Sequence, residues 1–177
     1  INIHNVLASL AIIKELNLDL QETIETFKDF EPSEGRGKIH KIKRYKKTFN
    51  LIDESYNANP LSVKNALKNF SAIKKNRFKK YLLMGDMLEL GKKSKRLHIA
   101  MAKSINRILV NKVYVIGKDI KETFKRIHKD NKGSILKNDS QLSDLINDKL
   151  NDGDYLMVKG SNSTGLFNFI SKLKQKN

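Results

Sequence analysis

Four short segments concentrate the residue types that can bind or orient a small polar ligand. Asp53-Glu54-Ser55-Tyr56-Asn57-Ala58-Asn59-Pro60 puts two carboxylates, a hydroxyl, a phenol and two amides into one turn, enough polar contacts for a zwitterionic or hydroxyl-bearing molecule. Gly85-Asp86-Met87-Leu88-Glu89-Leu90-Gly91 joins a glycine that permits a sharp chain exit to an aspartate that can hold an amine or cap a turn. Gly117-Lys118-Asp119 is a third such turn. Lys159-Gly160-Ser161-Asn162-Ser163 sets a cation, a hinge and a hydroxyl just before an expected helix, where a carboxylate or phosphate is favoured. Each has a plain architectural reading beside the functional one. Asn59-Pro60 is a good helix start, Asp86 can close a turn, and Ser161 suits an ordinary cap.

Other chemistries find no support. The chain has no cysteine, which excludes disulfides, thiolate metal sites, iron-sulfur clusters and cysteine nucleophiles. His4, His40, His98 and His128 show no metal-ligand spacing with one another or with a carboxylate, so no metal site is expected. There is no G-x-x-x-x-G-K-[ST] loop, G-x-G-x-x-G, nucleophile elbow or kinase signature, so the chain by itself is not expected to run nucleotide chemistry.

The elements that must position these segments alternate along the chain. Helical spacing of Val6, Leu7, Leu10, Ile13 and Leu16, then of Leu20, Ile24 and Phe27, predicts two short helices broken at Asn17 and Asp19. The Pro, Gly and small polar cluster at residues 31–37 marks a domain boundary, giving residues 1–31 and 32–177. Residues 39–45 and 48–53 read as an antiparallel strand pair. From Asn59 onward strands are expected at 81–84, 112–116, 134–136 and 155–158. Helices are expected from Pro60, and over 94–109, 120–128, 140–150 and 164–173. Short continuous apolar strands such as Tyr-Leu-Leu-Met are what a parallel sheet covered on both faces requires. The fold class is therefore α/β, an open doubly wound and mostly parallel sheet with an antiparallel N-terminal strand pair, preceded by a short helical segment. In such sheets ligands bind beyond the carboxyl ends of the strands, which is where all four polar segments fall.

Lysine and arginine total 35 against 19 acidic residues, a net charge of +16, which raises nucleic acid or an anionic membrane as partner. Only six basic residues are arginine, and they neither cluster nor interleave with aromatic residues, which argues against a nucleic-acid surface. A stand-alone basic α/β module binding nucleic acid is kept as the alternative reading. No apolar run reaches the roughly 20 residues that span a bilayer, and no signal peptide opens the chain, so no membrane span and a cytoplasmic location are expected. The chain starts on Ile1 and opens directly on a helix, as expected of a piece of a longer protein.

Taken together, His4-Asn5 opening a helix, Glu34-Gly35-Arg36, residues 51–60, Gly85-Asp86-Met87-Leu88-Glu89-Leu90-Gly91 with His98, and Val158-Lys159-Gly160-Ser161 resemble the Mur ligases. The Ser-Tyr-Asn-Ala-Asn-Pro string resembles the branch of that family that adds D-alanyl-D-alanine to UDP-N-acetylmuramoyl-tripeptide in peptidoglycan precursor synthesis. The resemblance implies a Rossmann-like C-terminal domain at 32–177, preceded at 1–31 by the helical end of a central ATPase domain. It also implies an ATP- and Mg2+-dependent amide ligase in which a carboxylate is activated as an acyl phosphate and then attacked by the dipeptide amine. The phosphate loop and metal ligands belong to parts that the resemblance does not cover, so the chain alone is expected to be inactive, with no catalytic residue assigned in it. Carried over residue by residue, Asn5 would contact adenine, Arg36 the phosphates and Glu54 the ribose. Asn57, Asn59, Asp86, Lys159 and Ser161 would serve D-alanyl-D-alanine. Two departures from the family pattern are Glu54, where aspartate is commoner, and Ala8, where many relatives carry asparagine.

Overall fold

The computed structural model describes residues 3–28, 31–74 and 77–175. The chain divides into two compact units, Ile1–Ser33 and Glu34–Asn177. In the first, α1 (Ile3–Glu15) and α2 (Leu20–Thr26) are separated by Asn17 in the left-handed region at φ 52° and by Asp19. The Asp19 carboxylate accepts from the Gln21 and Glu22 amides at 2.7 and 3.2 Å, so the break predicted at these residues is a turn followed by a helix cap.

The second unit is built on one six-stranded sheet in the order β1-β2-β6-β3-β4-β5. β1 (Lys38–Arg44) pairs antiparallel with β2 (Lys47–Glu54). The remaining strands, β3 (Lys80–Gly85), β4 (Lys112–Ile116), β5 (Lys132–Leu136) and β6 (Tyr155–Lys159), run parallel with β2. This is the mixed, mostly parallel α/β architecture expected from the residue pattern. Side chains alternate across the sheet, and both faces are covered. Ile52, Leu82, Met84 and Met157 pack with α3 (Pro60–Ala72) and α4 (Ser94–Ile105). Leu51, Leu83, Leu156 and Val158 pack with α6 (Asp139–Lys149) and α7 (Leu166–Gln175) on the other face. That two-sided burial is why the central strands are apolar throughout.

Helix ends are closed by side chains, one local and two from distant strands. Asn59 caps α3, accepting from the Ser62 amide at 2.8 Å while its own amide donates to Ser62 Oγ at 3.0 Å. At the other end, the buried Lys80 ammonium donates to the carbonyls of Phe70 at 2.9 Å, Ser71 at 3.2 Å and Ile73. Lys47 does the same for α6, donating to Asn147 O at 2.5 Å and Leu150 O at 2.7 Å. A cation on the orphan carbonyls of a helix end satisfies acceptors and complements the helix dipole.

Two expected helices are shorter than predicted. The 94–109 helix ends at Ile105, and the 120–128 helix is α5 (Ile120–Phe124). Asn106 explains both: its amide donates to Arg126 O at 2.9 Å and accepts from the His128 amide at 3.1 Å, so the two helices turn away together. The 164–173 helix starts later, at Leu166, behind a 3-10 turn (Asn162–Thr164) and Gly165 in the left-handed region. Among the described residues no helix is long and apolar enough to cross a membrane.

Candidate functional site

The carboxyl ends of β2, β6 and β3 lie side by side, and each delivers one of the polar segments. Glu54 and Lys159 are register partners at the ends of β2 and β6. The Lys159 ammonium, buried, donates to Glu54 Oε2 at 3.1 Å and to the Asn57 carbonyl at 2.9 Å. Burial pushes the Lys159 pKa below its ordinary value, Glu54 partly offsets this, and the charge of Arg36 adds to the lowering. Lys159 thus joins the end of one strand to the loop after it, within the field of Arg36.

Arg36 reaches this edge from the loop before β1. The Gly37 amide donates to Asp53 O at 2.7 Å and the Tyr56 amide to Gly35 O at 3.2 Å, which lays the loop along the end of β2. The exposed Arg36 guanidinium sits 4.6 Å from the centroid of the Tyr56 ring, and Tyr56 meets Phe167 edge-on at 5.7 Å. A guanidinium over an aromatic face is held loosely by a cation-π contact and stays available to an anion. Asn57 is exposed, and its side-chain oxygen accepts from the Ala58 amide at 2.7 Å.

The β3 and β6 loops are tied to each other. Gly85 and Gly160 face one another closely: a Cβ on Gly160 would stand 3.2 Å from the Gly85 Cα, and a Cβ on either would come within 2.8 Å of Leu166 Cδ1, so a larger residue at either position would have to displace Leu166. The Ser161 amide donates to Asp86 O at 3.0 Å, and Ser161 Oγ accepts from the Leu88 amide at 2.9 Å. Both Asp86 carboxylate oxygens are taken, by the Lys118 amide at 2.8 Å and the Ile120 amide at 2.7 Å, so Asp86 closes the turn into α5. His98, fully buried, accepts from the Met87 amide at Nε2 (3.0 Å), and its Nδ1 lies 2.9 Å from Ser94 O. That pattern requires the neutral ring protonated on Nδ1.

A second cluster lies behind β2. The fully buried Asp53 accepts from Ser55 Oγ at 2.5 Å and from the Lys174 ammonium at 2.8 Å, and Lys174 also bonds Glu34. Burial opposes the charge on Lys174, but Asp53 and Glu34 outweigh it and hold its pKa above the ordinary value. Glu34, His40 and Asp53 bring ligand-type atoms within 4.8 Å of one another. The Lys174 ammonium already bridges the two carboxylates, a tethered cation where a metal would sit.

The sequence profile of the Mur ligase, glutamate ligase domain, matches residues 35–162. The chain belongs to the Mur ligase family. Its curated relatives include UDP-N-acetylmuramoyl-tripeptide D-alanyl-D-alanine ligases from Rickettsia prowazekii, 29% identical over 92% of this chain, and from Buchnera aphidicola, 31% identical over 97%. The Mur ligase chain spans 35% and 36% of the lengths of these two relatives. The MurF ligase of Thermotoga maritima, solved in complex with ADP, shares the fold with a TM-score of 0.73 at 21% identity, covering 98% of this chain and 38% of its own. MurF from Acinetobacter baumannii superposes with a TM-score of 0.76 at 19% identity, covering 98% of this chain and 37% of its own.

Of the residues singled out from the sequence of this Mur ligase chain, Arg36, Glu54, Asn57 and Lys159 gather at the strand ends. Asn59, Asp86 and Ser161 are in the same loops with their side chains engaged in caps and ties. Asn5 is exposed in the first turn of α1, in the other unit, and the side chain of His4 lies outside the described residues. Sequence reasoning missed Lys174, whose link to Asp53 spans 121 positions and leaves no local signal.

Proposed function

We propose that this chain is the nucleotide-closing and acceptor-binding part of an ATP-dependent amide ligase that joins D-alanyl-D-alanine to UDP-N-acetylmuramoyl-tripeptide in the cytoplasm. The carrying observation is the cluster at the ends of β2 and β6. One cation (Arg36) is exposed, one carboxylate (Glu54) is partly exposed, and one buried cation (Lys159) is bonded to both Glu54 and the Asn57 loop. An exposed guanidinium beside a carboxylate suits a nucleotide, the first for its phosphates and the second for its ribose hydroxyls. The Asn57 amide at the lip suits the acceptor dipeptide. The names of the curated relatives supply the substrate class.

In this reading Arg36 leaves the Tyr56 ring to meet the phosphates and Glu54 accepts from the ribose. Asn57 and Lys159 orient D-alanyl-D-alanine, while Asn59, Asp86 and Ser161 fix the loops that present it. Mg2+, when bound, shields the phosphates, and no residue of this chain is assigned to it. Activating the tripeptide carboxylate as an acyl phosphate makes a good leaving group, and holding the dipeptide amine close by makes its attack effectively unimolecular. The test is a titration of the 15N-labelled chain with D-alanyl-D-alanine against L-alanyl-L-alanine. Stereoselective amide shifts at Asn57, residues 85–89 and residues 159–161 are expected. Equal responses to the two dipeptides, or none, would reject this acceptor site.

A further inference from the structure

The ligase reading leaves most of the positive charge unused, and its distribution is uneven. Between Ser55 and Lys118 stand fifteen basic residues and only two acidic ones, Asp86 and Glu89. Both acids lie in the loop after β3, so α3 and α4 carry no carboxylate at all. These two helices cover the same face of the sheet. On α3 the spacing of Leu61, Lys64 and Lys68 forms one outward stripe, and on α4 Arg96, Ala100 and Lys103 form another that continues to Arg107. All seven are exposed. No carboxylate pairs with Lys64, Lys68, Lys103 or Arg107 among the described residues. Two acids border the patch: Asp119, whose carboxylate accepts from Ser94 Oγ at 2.5 Å at the start of α4, and Glu122 of α5, which is bonded to Lys125 and Arg126. On the opposite face α6 carries Asp139, Asp144 and Asp148, which balance its Lys149 and the Lys172 and Lys174 of α7, so the two helix layers differ in charge. A uniform excess of lysine does not produce that segregation.

Two open grooves run along the basic face. One, of about 450 Å³, lies between α3 and α4 beside Lys64, Lys68 and Arg107. The other, of about 470 Å³, adjoins it through Arg107 and includes Lys103 and Arg126. Two leucines stand exposed at opposite ends of this face, Leu61 at the start of α3 (69% exposed) and Leu109 just beyond α4 (68% exposed).

We propose that the outer face of α3 and α4 docks on a bilayer surface rich in anionic phospholipid. Lysine-dominated charge without a fixed fork suits a laterally mobile sheet of phosphates, and exposed leucines beside it can enter the boundary between headgroups and acyl chains. A nucleic-acid surface would call for arginine forks and stacking aromatics, and α3 and α4 expose neither an arginine cluster nor an aromatic side chain. The inference is independent of the ligase reading.

The test is co-sedimentation of the 177-residue chain with vesicles of phosphatidylcholine alone and with about 30% phosphatidylglycerol. Binding is expected only to the anionic vesicles, with release as salt rises from about 50 to about 300 mM. Each basic residue near an anionic surface is worth about a fivefold change in partitioning, so K64E/K68E/R107E should lower the bound fraction at least about tenfold. The charge-matched K137E/K149E/K172E variant, altered around the opposite helix layer, should retain binding. Circular dichroism checks that both variants are folded. No binding to anionic vesicles, equal loss in both variants, or binding to a DNA duplex under conditions where vesicles are not bound would each overturn the proposal.

Discussion

The Lys159 ammonium stands 3.1 Å from the Glu54 carboxylate, and the two residues are register partners on neighbouring parallel strands. A buried lysine is tolerated there because Glu54 and the Asn57 carbonyl replace part of its lost hydration. Lys159→Met and Glu54→Gln should each destabilise the domain by about 2 kcal/mol, and the double variant should fall short of the sum by about 1 to 2 kcal/mol. Urea denaturation of the four proteins measures this coupling. Strict additivity would mean that the pair is not a working ion pair.

Asp86 and Gly117 are expected to behave as one unit. Asp86→Ala leaves the Lys118 and Ile120 amides without their acceptor, at a cost of about 2 kcal/mol. Gly117→Ala puts a Cβ 2.5 Å from the Asp86 carboxyl carbon at φ 139°, and should cost at least as much. Because both break the same turn, the double variant should be little worse than either single one. Thermal unfolding of the set decides it, and full additivity would show that the turn is held by something else.

How much of this was legible in sequence differs by the kind of signal. The strands and their polar carboxyl ends could be read because hydrophobic runs and turn residues are local, and β4 falls at the expected residues 112–116. The α3 start was legible from Asn59-Pro60 for the same reason. What escaped are the long-range ties. Lys80 on the end of α3, Lys47 on the end of α6, Asp86 on residues 118 and 120, and Lys174 on Asp53 each depend on the fold bringing distant residues together. In a chain with 35 basic residues, three lysines with fixed architectural duties look like the rest. Helix α5 was over-extended for a related reason, since its end is set by Asn106 on another helix.

Lys174 and His40 share a field. Burial, followed by the charge of Lys174, holds the His40 pKa below 6.5, while Glu34 and Asp53 pull it up. The folded protein therefore keeps His40 neutral where the unfolded chain would protonate it. The resulting stability is complete above pH 6.5 and is lost as pH falls through the lowered value. Lys174→Met removes the positive neighbour and leaves the two carboxylates, so the His40 pKa should rise. The same change strands the buried Asp53 carboxylate and should cost about 3 kcal/mol. An NMR titration of the His40 ring protons reads the first effect and urea denaturation the second. An unchanged or lower His40 pKa in the variant would contradict the arrangement.

Tyr81 gives the opposite sign at the alkaline end. Its hydroxyl donates to Lys149 O at 2.8 Å, tying β3 to the end of α6. Burial, with Asp154 and Tyr114 adding to it, pushes the phenol pKa from 10.0 up to about 12. Between those values the unfolded chain loses a proton that the folded chain keeps, so stability falls as pH rises, by at most about 1.4 kcal/mol per pH unit from this group. Tyr81→Phe should cost about 1 kcal/mol at neutral pH through the lost hydrogen bond, and should flatten the decline between pH 10 and about 12. The wild-type and variant stability curves should therefore converge on the alkaline side. Parallel curves across that window would show that the Tyr81 phenol titrates freely, and that the β3 to α6 tie is weaker than its geometry implies.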